Sequence, residues 1–187
     1  GAIAPWIACP SSPDNVVPVA EVAGEPVYQS YIGSSANPGF RDFAVSAAML
    51  DGRRIADGLS LDINPSSRQV LDALATGGQL IEFIRAGARL HQAGCNGCIG
   101  MGQAPARYQN SLRTVPRNFP GRSGTREDRV FLCSPETATA TALTGVITDP
   151  RTLNMPYPRV VEPQTLNADK SLFIAPPEHA PGEQGPE

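Results

Sequence analysis

The feature that most constrains this chain is a pair of cysteines in the glycine-rich segment 94–102, which reads Gly-Cys-Asn-Gly-Cys-Ile-Gly-Met-Gly. Cys95 and Cys98 lie three positions apart, and the glycines allow the backbone to close tightly around whatever the thiols hold. Soft sulfur ligands favour iron–sulfur clusters or zinc, and the same spacing occurs in redox dithiols. The pair alone does not decide among these three chemistries.

The surrounding sequence favours iron–sulfur binding. A zinc ribbon needs a second pair of the same kind, and the two remaining cysteines, Cys9 and Cys133, are isolated. A redox dithiol is expected at the start of a helix that follows a strand. Residues 91–94, His-Gln-Ala-Gly, do not have the pattern of such a strand.

Downstream of the thiols, the segment 116–122 carries two arginines, Arg117 and Arg122. Planar guanidinium groups pair with carboxylates through two parallel hydrogen bonds, so this pair suits the binding of a small polycarboxylate. The alternative is a solvated basic stretch, because Arg113 and Arg126 lie nearby.

Composition narrows the function classes further. A chain of 187 residues with 41% hydrophobic content is long enough for one domain with a sizeable core, or for a domain and a tail. The net charge of −3 does not indicate a nucleic-acid-binding surface. The sequence has no apolar run of membrane-spanning length and no visible secretory signal. We therefore expect no membrane partner and a reducing, cytoplasmic location in which the thiols stay free.

Short apolar runs alternate with amphipathic segments along the chain, which predicts a layered α/β domain. In such domains ligand sites lie in loops at the carboxyl ends of parallel strands. Residues 33–35, residues 133–134 and the segment 94–102 are expected to be loops of this kind. The expected strands cover 27–32, 59–63 and 130–133, and the expected helices cover 39–50, 65–75 (with Asn64 as N-cap), 79–85 and 135–143.

Four motifs occur in an order that resembles a known family. They are Gly-Ser-Ser-Ala-Asn at 33–37, Gly-Cys-x-x-Cys-Ile-Gly at 94–100, Arg-Asn-Phe-x-Gly-Arg at 117–122 and Cys-Ser-Pro-Glu at 133–136. Together they resemble the aconitase superfamily, which includes aconitate hydratase, homoaconitase and the large subunit of isopropylmalate isomerase. The resemblance implies an α/β/α domain similar to the third domain of aconitase over residues 1–150. Residues 151–187, rich in proline, would form an extended strap and linker toward a swivelling domain outside this chain.

The resemblance also implies a [4Fe–4S] cluster bound by three cysteines, two of which match Cys95 and Cys98. The third falls at Ser35, where the family has the cysteine of Gly-Ser-Cys-Thr-Asn. A serine oxygen is a harder ligand than a thiolate and is less suited to iron in such a cluster. We expect Ser35 to occupy the third position, with Cys133 and then Cys9 as the alternatives.

Substrate contacts follow from the same comparison. Arg117 and Arg122 match the family's substrate-carboxylate arginines. Ile99, lining the cluster pocket, and Asn37, orienting the cluster loop, are the other expected substrate-site residues. Pro116 replaces an asparagine that contacts substrate in the family. The family's catalytic base belongs to the swivelling domain, so no catalytic residue is expected in this chain.

The sequence therefore predicts a fragment of a hydro-lyase that supplies cluster ligands and substrate arginines. By resemblance, the whole enzyme interconverts citrate and isocitrate through cis-aconitate in the tricarboxylic acid cycle, with a tricarboxylate substrate and the remaining domains of the same enzyme as partners. One alternative is an isopropylmalate isomerase or homoaconitase component. The other is a non-catalytic metal-binding module that retains the fold.

Overall fold

A computed structural model of the chain describes residues 3–161, 171 and 173–175. In this part of the chain seven strands form one sheet in the order β2-β1-β7-β6-β3-β4-β5. The strands are β1 (Trp6–Ala8), β2 (Val16–Pro18), β3 (Gln29–Gly33), β4 (Ser60–Asn64), β5 (Arg89–Leu90), β6 (Asn110–Arg113) and β7 (Arg129–Leu132). Strands β7, β6, β3, β4 and β5 run parallel, whereas β1 pairs antiparallel with both β7 and β2. The α/β class predicted from the sequence is confirmed.

One face of the sheet carries the helices and the apolar core. The helices are α1 (Val19–Val22), α2 (Phe40–Leu50), α3 (Arg68–Thr76), α4 (Gln79–Ala86) and α5 (Pro135–Thr144). Side chains alternate between the two faces of a strand, so every second residue of the central strands points toward α2–α5. The main core comprises strand residues Ile32, Leu61, Ile63, Leu112 and Phe131 together with helix residues Phe43, Leu74, Phe83 and Ala138.

The opposite face of the central strands is polar yet buried. Its residues include Gln29 and Tyr31 of β3, Asp62 and Asn64 of β4, and Ser111 and Arg113 of β6. This face is covered by the segment 91–103, which contains a short 3-10 helix, Gly97–Ile99. The layer on this side of the sheet is therefore the cysteine-bearing segment itself.

The helix predictions hold closely for α2, α4 and α5. Helix α5 shows why the signals in the sequence are strong: the Ser134 hydroxyl accepts a hydrogen bond from the Thr137 N–H at 3.2 Å, and Pro135 occupies the first turn. Gly145 then ends the helix in a left-handed conformation.

The predicted start of α3 is wrong. The helix begins at Arg68, and its N-cap is Ser67, whose hydroxyl accepts from the Val70 N–H at 3.2 Å. Asn64 instead ends β4, where its side chain accepts from the Tyr31 hydroxyl at 2.6 Å and donates to the Gln92 carbonyl at 2.7 Å. Asn64 hydrogen-bonds to these residues distant in sequence and therefore does not cap the helix; the local sequence pattern does not reveal such partners.

Beyond α5 the chain forms a second short 3-10 helix, Pro150–Thr152, and then runs without regular structure to residue 161. Leu153, Met155 and Val160 pack against buried residues of α2 and α5. Residues 162–170, 172 and 176–187 of the predicted strap and linker lie outside the described residues. Within the described range, no helix is both long and apolar enough to cross a membrane.

Phe83 of α4 makes an edge-to-face contact with Phe43 of α2, with ring centroids 6.4 Å apart. Replacing Phe83 by alanine should lower the free energy of unfolding by about 3–5 kcal/mol, because a fully buried aromatic is lost and a cavity remains. Urea titration measures the change. The neighbouring Ile84→Ala, at a side chain that is 49% exposed, should cost much less, and equal effects would contradict this packing.

Candidate metal and substrate site

The site forms where the parallel strands β3, β4 and β6 end. Gly33, the last residue of β3, pairs with Asn64 of β4, and Tyr31 pairs with Arg113 at the end of β6. A side chain at residue 33 would overlap Asn64, so only glycine fits this exit from the sheet. The loop that follows β3 is thereby brought against the segment that carries the two cysteines.

The chain turns sharply after Gly33. Ser34 is fully buried with a φ of 150°, a conformation that side-chain-bearing residues seldom adopt and that costs of the order of 1–3 kcal/mol. Its hydroxyl accepts a hydrogen bond from the Ala36 N–H at 3.2 Å. This turn directs both the N–H and the hydroxyl of Ser35 toward Cys95.

Cys95 is the more acidic of the two thiols. Partial burial acts to raise its pKa, but hydrogen bonds from Cys98, from the backbone and side chain of Ser35, and from the side chain of Ser34 outweigh burial and lower the pKa from 9.0 to about 7. A substantial fraction of Cys95 is therefore thiolate at neutral pH, the form that binds metals.

Cys98 is buried beside Cys95 and behaves in the opposite way. Burial raises its pKa, and the hydrogen bond and negative charge of Cys95 raise it further, while Arg122 acts to lower it. The Arg122 guanidinium also donates to the Cys98 carbonyl at 3.2 Å. Cys98, Tyr31 and Val115 form a small apolar cluster that Cys95 and Leu132 border.

The two alternative ligands lie elsewhere. Cys9 and Cys133 pack against the main core on the other side of the sheet, and burial raises the pKa of both thiols. Among the described residues, no group of three or more histidine, cysteine, aspartate or glutamate side chains is arranged to hold a metal ion. The structure thus brings Ser35, rather than Cys9 or Cys133, to the thiol pair.

The predicted substrate residues surround these thiols to different extents. Arg122 contacts Cys98 directly, whereas Arg117 is exposed. Ile99 is 47% exposed, so it is not a core residue. Asn37 is exposed and lines an open cavity of about 360 Å³ with Val115, Pro116, Leu132 and Cys133 among its walls.

Sequence analysis missed a buried polar network beneath the cysteine segment. The buried Asp62 carboxylate accepts from the Gln29 amide at 3.1 Å and lies 3.0 Å from His91 Nε2. The Gln103 amide lies 3.3 Å from His91 Nδ1, so both ring nitrogens of this histidine have partners within the protein. Polar residues inside the apolar strand patterns, such as Gln29 and Asp62, were the available signal.

The donor set is two thiols and one hydroxyl. Cys95 lies within hydrogen-bonding reach of both Cys98 and Ser35, whereas ligand atoms of one cubane lie roughly 6–7 Å apart given metal–sulfur bonds of about 2.3 Å. The side chains would therefore have to turn apart to share a cluster. The set fits two thiolate ligands and one serine oxygen, and does not provide three thiolates.

A family model described as the aconitase family (aconitate hydratase) matches residues 20–145, which include both loops of the site. The chain belongs to the aconitase family. Curated relatives are named as dehydratase and homoaconitase large subunits. A 3-isopropylmalate dehydratase large subunit 1 of Methanopyrus kandleri is 44% identical over 149 residues, covering 79% of this chain and 35% of that protein.

Two further relatives of this aconitase-family chain match a similar length. A probable methanogen homoaconitase large subunit of Methanosarcina mazei is 40% identical over 81% of this chain and 38% of its own. A 3-isopropylmalate dehydratase large subunit of Nitratidesulfovibrio vulgaris is 40% identical over 80% of this chain and 36% of its own. The chain thus spans little more than a third of the length of these relatives.

The lowered pKa of Cys95 predicts its reactivity. Alkylation of Cys95 by iodoacetamide should rise with pH through about 7, because the thiolate reacts and its hydrogen bonds stabilise it there. Ser35→Ala removes the hydroxyl donor, so the pKa should move up toward 9.0 and the rate at pH 7 should fall. Peptide mass spectrometry measures the rate at each cysteine. Ser11→Ala, at an exposed serine between β1 and β2, is the matched control; a Cys95 midpoint near 9 in the unmodified protein would contradict the assignment.

Proposed function

We propose that this chain is the cluster-binding part of an aconitase-family hydro-lyase that moves a hydroxyl group between adjacent carbons of a substituted malate by dehydration and rehydration. The names of the relatives, 3-isopropylmalate dehydratase and homoaconitase, support a substrate of the isopropylmalate or homocitrate type. They favour that alternative over the citrate–isocitrate reaction and the tricarboxylic acid cycle expected from the motifs.

The observation that carries the proposal is the meeting of three segments at one edge of the sheet. The loop after β3 delivers Ser35 to Cys95, and Arg122 reaches Cys98 from the other side. Soft ligands beside a carboxylate-binding cation are the groups that a cluster-dependent dehydratase of polycarboxylates needs.

Each residue has a role in this proposal. Cys95 and Cys98 hold a [4Fe–4S] cluster through their thiolates, and Ser35 supplies an oxygen at the third position. Such a cluster, when bound, supplies a Lewis-acidic iron that polarises the hydroxyl and carboxylate of the substrate. Arg122 and Arg117 bind the substrate carboxylates and fix the orientation of the carbon that loses the hydroxyl.

The cavity beside the thiols supports an alkyl-bearing substrate. Val115 and Leu132 line the cavity. Val115 also packs with Cys98 and Tyr31, and Leu132 borders that group, so the cavity adjoins the thiol pair. Pro116 forms part of the wall and has no N–H to offer a carboxylate. A hydrocarbon substituent therefore suits this wall better than a further charged group.

The rest of the enzyme would complete the site. The relatives are named large subunits, so we propose that further domains or a second subunit supply the catalytic base. The exposed apolar side chains of Ile99, Met101 and Phe119 provide surface for such a partner near the thiols. We propose a cytoplasmic location, because a reducing compartment keeps a thiol pair of this kind free to bind a metal.

The second candidate is a metal-binding module without catalytic activity, and the oxygen of Ser35 in place of a third thiolate favours it. Both candidates predict a metal at the thiol pair. Turnover of an isopropylmalate- or homocitrate-type substrate by the full-length protein with its partner subunit separates them.

Anaerobic reconstitution of the full-length protein with iron and sulfide should give the broad visible absorption of an iron–sulfur cluster. Cys95→Ala or Cys98→Ala should abolish it, because each removes a thiolate ligand. Ser35→Cys should instead slow the loss of iron to a chelator by restoring a soft third ligand. Cys133→Ala is the matched control and should retain the absorption. Full iron and sulfide content in the Cys95/Cys98 double variant would refute the ligand assignment.

Arg122→Lys should lower kcat/KM for the preferred substrate by about tenfold or more, because the planar fork is lost and a charge-assisted hydrogen bond contributes about 1.5–3 kcal/mol. Initial rates with 3-isopropylmalate, homocitrate and citrate measure both the preference and the loss. Arg126→Lys should leave the rates unchanged. An Arg122→Lys protein with unaltered kcat/KM and normal cluster absorption would remove Arg122 from the substrate site.

A further inference from the structure

Arg113 is the largest of the fully buried side chains in the described part of the chain. It ends β6, and its guanidinium makes hydrogen bonds on all three nitrogens. Nε donates to the Ser111 hydroxyl at 3.0 Å, Nη1 to the Gly97 carbonyl at 2.7 Å, and Nη2 to the Gln29 side-chain oxygen at 2.7 Å. Nη2 also donates to the Gln103 carbonyl.

These four acceptors are uncharged, which makes the burial of a guanidinium expensive. Two of them are backbone carbonyls of the segment that carries the cysteines: Gly97 lies between Cys95 and Cys98, and Gln103 lies beyond both. A single planar group therefore joins the end of β6 to two points of that segment, 97–103. An apolar side chain could fill the space but could not hold either carbonyl.

Tyr31 contacts the same segment from the side of the sheet. Arg113 and Tyr31 together form a clamp around Gly97. The Arg113 guanidinium carbon lies 5.1 Å from the centroid of the Tyr31 ring. Gly97 lies so close to the same ring that any side chain there would overlap it. The peptide between the two cysteines is thus held by a hydrogen bond from Arg113 and by contact with the tyrosine.

The far end of the segment is fixed through the buried network. The Gln103 side-chain oxygen accepts from the Gln29 amide at 3.3 Å, and the Gln103 amide lies 3.3 Å from His91 Nδ1. His91 in turn contacts the buried carboxylate of Asp62. Because the backbone of Gln103 is bound by Arg113 and its side chain by this network, the end of the loop cannot move independently of the sheet.

We propose that Arg113 is a positioning residue that sets the placement of Cys98 relative to Cys95 before the cluster binds. The effect on cluster binding rests on the proposed function, whereas the contacts of Arg113 do not. The guanidinium holds the backbone of this segment at Gly97 and Gln103, and so limits the positions from which both thiols could reach a cluster. Rigid support of this kind strengthens binding by reducing the ordering that the ligand must impose.

The first test follows hydrogen exchange in the cluster-free full chain. Arg113→Lys keeps the positive charge, but one ammonium cannot reproduce the planar fork that spans both carbonyls. Amides of residues 97–103 should exchange about tenfold faster or more, since a hydrogen bond to a charged group is lost, while amides of β3 and β4 should be unchanged. Arg129→Lys, at an exposed arginine of β7, is the matched control. Unchanged exchange in 97–103, or an equal increase across the sheet, would overturn the proposal.

The second test approaches the clamp from the loop. Gly97→Ala forces a methyl group against Tyr31 and should displace the same peptide without altering the sheet core. In protein reconstituted with iron and sulfide, both Arg113→Lys and Gly97→Ala should release iron to a chelator about tenfold faster than the parent, measured at a temperature where circular dichroism shows that both variants are folded. Release at the parental rate from both variants would overturn the positioning role. If the parent itself takes up no iron, the proposed function fails, and the hydrogen-exchange result still decides whether the clamp exists.

Discussion

The position of the candidate site depends on the parallel pairing of β3 with β4 on one side and with β6 on the other. This pairing places the last residues of these strands, Gly33, Asn64 and Arg113, at one edge of the sheet in a fixed register. One face of the same strands is apolar and binds the helices, and the other is polar and binds the cysteine segment. A slip of one residue in any of these strands would exchange the two faces, so the core and the site are specified by the same pairing.

Much of this arrangement could be predicted from the sequence, because the signals are local. The C-x-x-C pair, the two arginines and the capped helix after Ser134 each depend on neighbouring residues. Strand β6 was missed because Asn110, Ser111 and Arg113 are polar, and such residues normally mark the surface. Ser111 and Arg113 are buried here because partners far along the chain, Gln29 and Gly97 among them, satisfy their hydrogen bonds. Asn64, expected to cap a helix, likewise lies in the sheet because it hydrogen-bonds to residues distant in sequence.

A serine oxygen at position 35, in place of a sulfur, affects both the ligand type at that position and the pKa of Cys95. In this chain the N–H and hydroxyl of Ser35 stabilise the thiolate of Cys95, which a cysteine side chain would do less well because S–H is a weak donor. In the proposed site, a serine in place of a soft ligand is therefore accompanied by a lowered pKa of the neighbouring Cys95 thiol. The strained turn at Ser34 links these two properties, because it directs both the N–H and the hydroxyl of Ser35 toward the Cys95 sulfur.

The sheet is bounded by very short strands, β2 of three residues and β5 of two. Pro18 at the end of β2 has no N–H, and Arg89 places a charge on β5, so neither border offers a run of free backbone groups to an incoming strand. Recruitment of another polypeptide by β-sheet extension is disfavoured at both borders. In the proposed enzyme, other domains or subunits would therefore meet this chain at the ends of the strands, where the thiols lie.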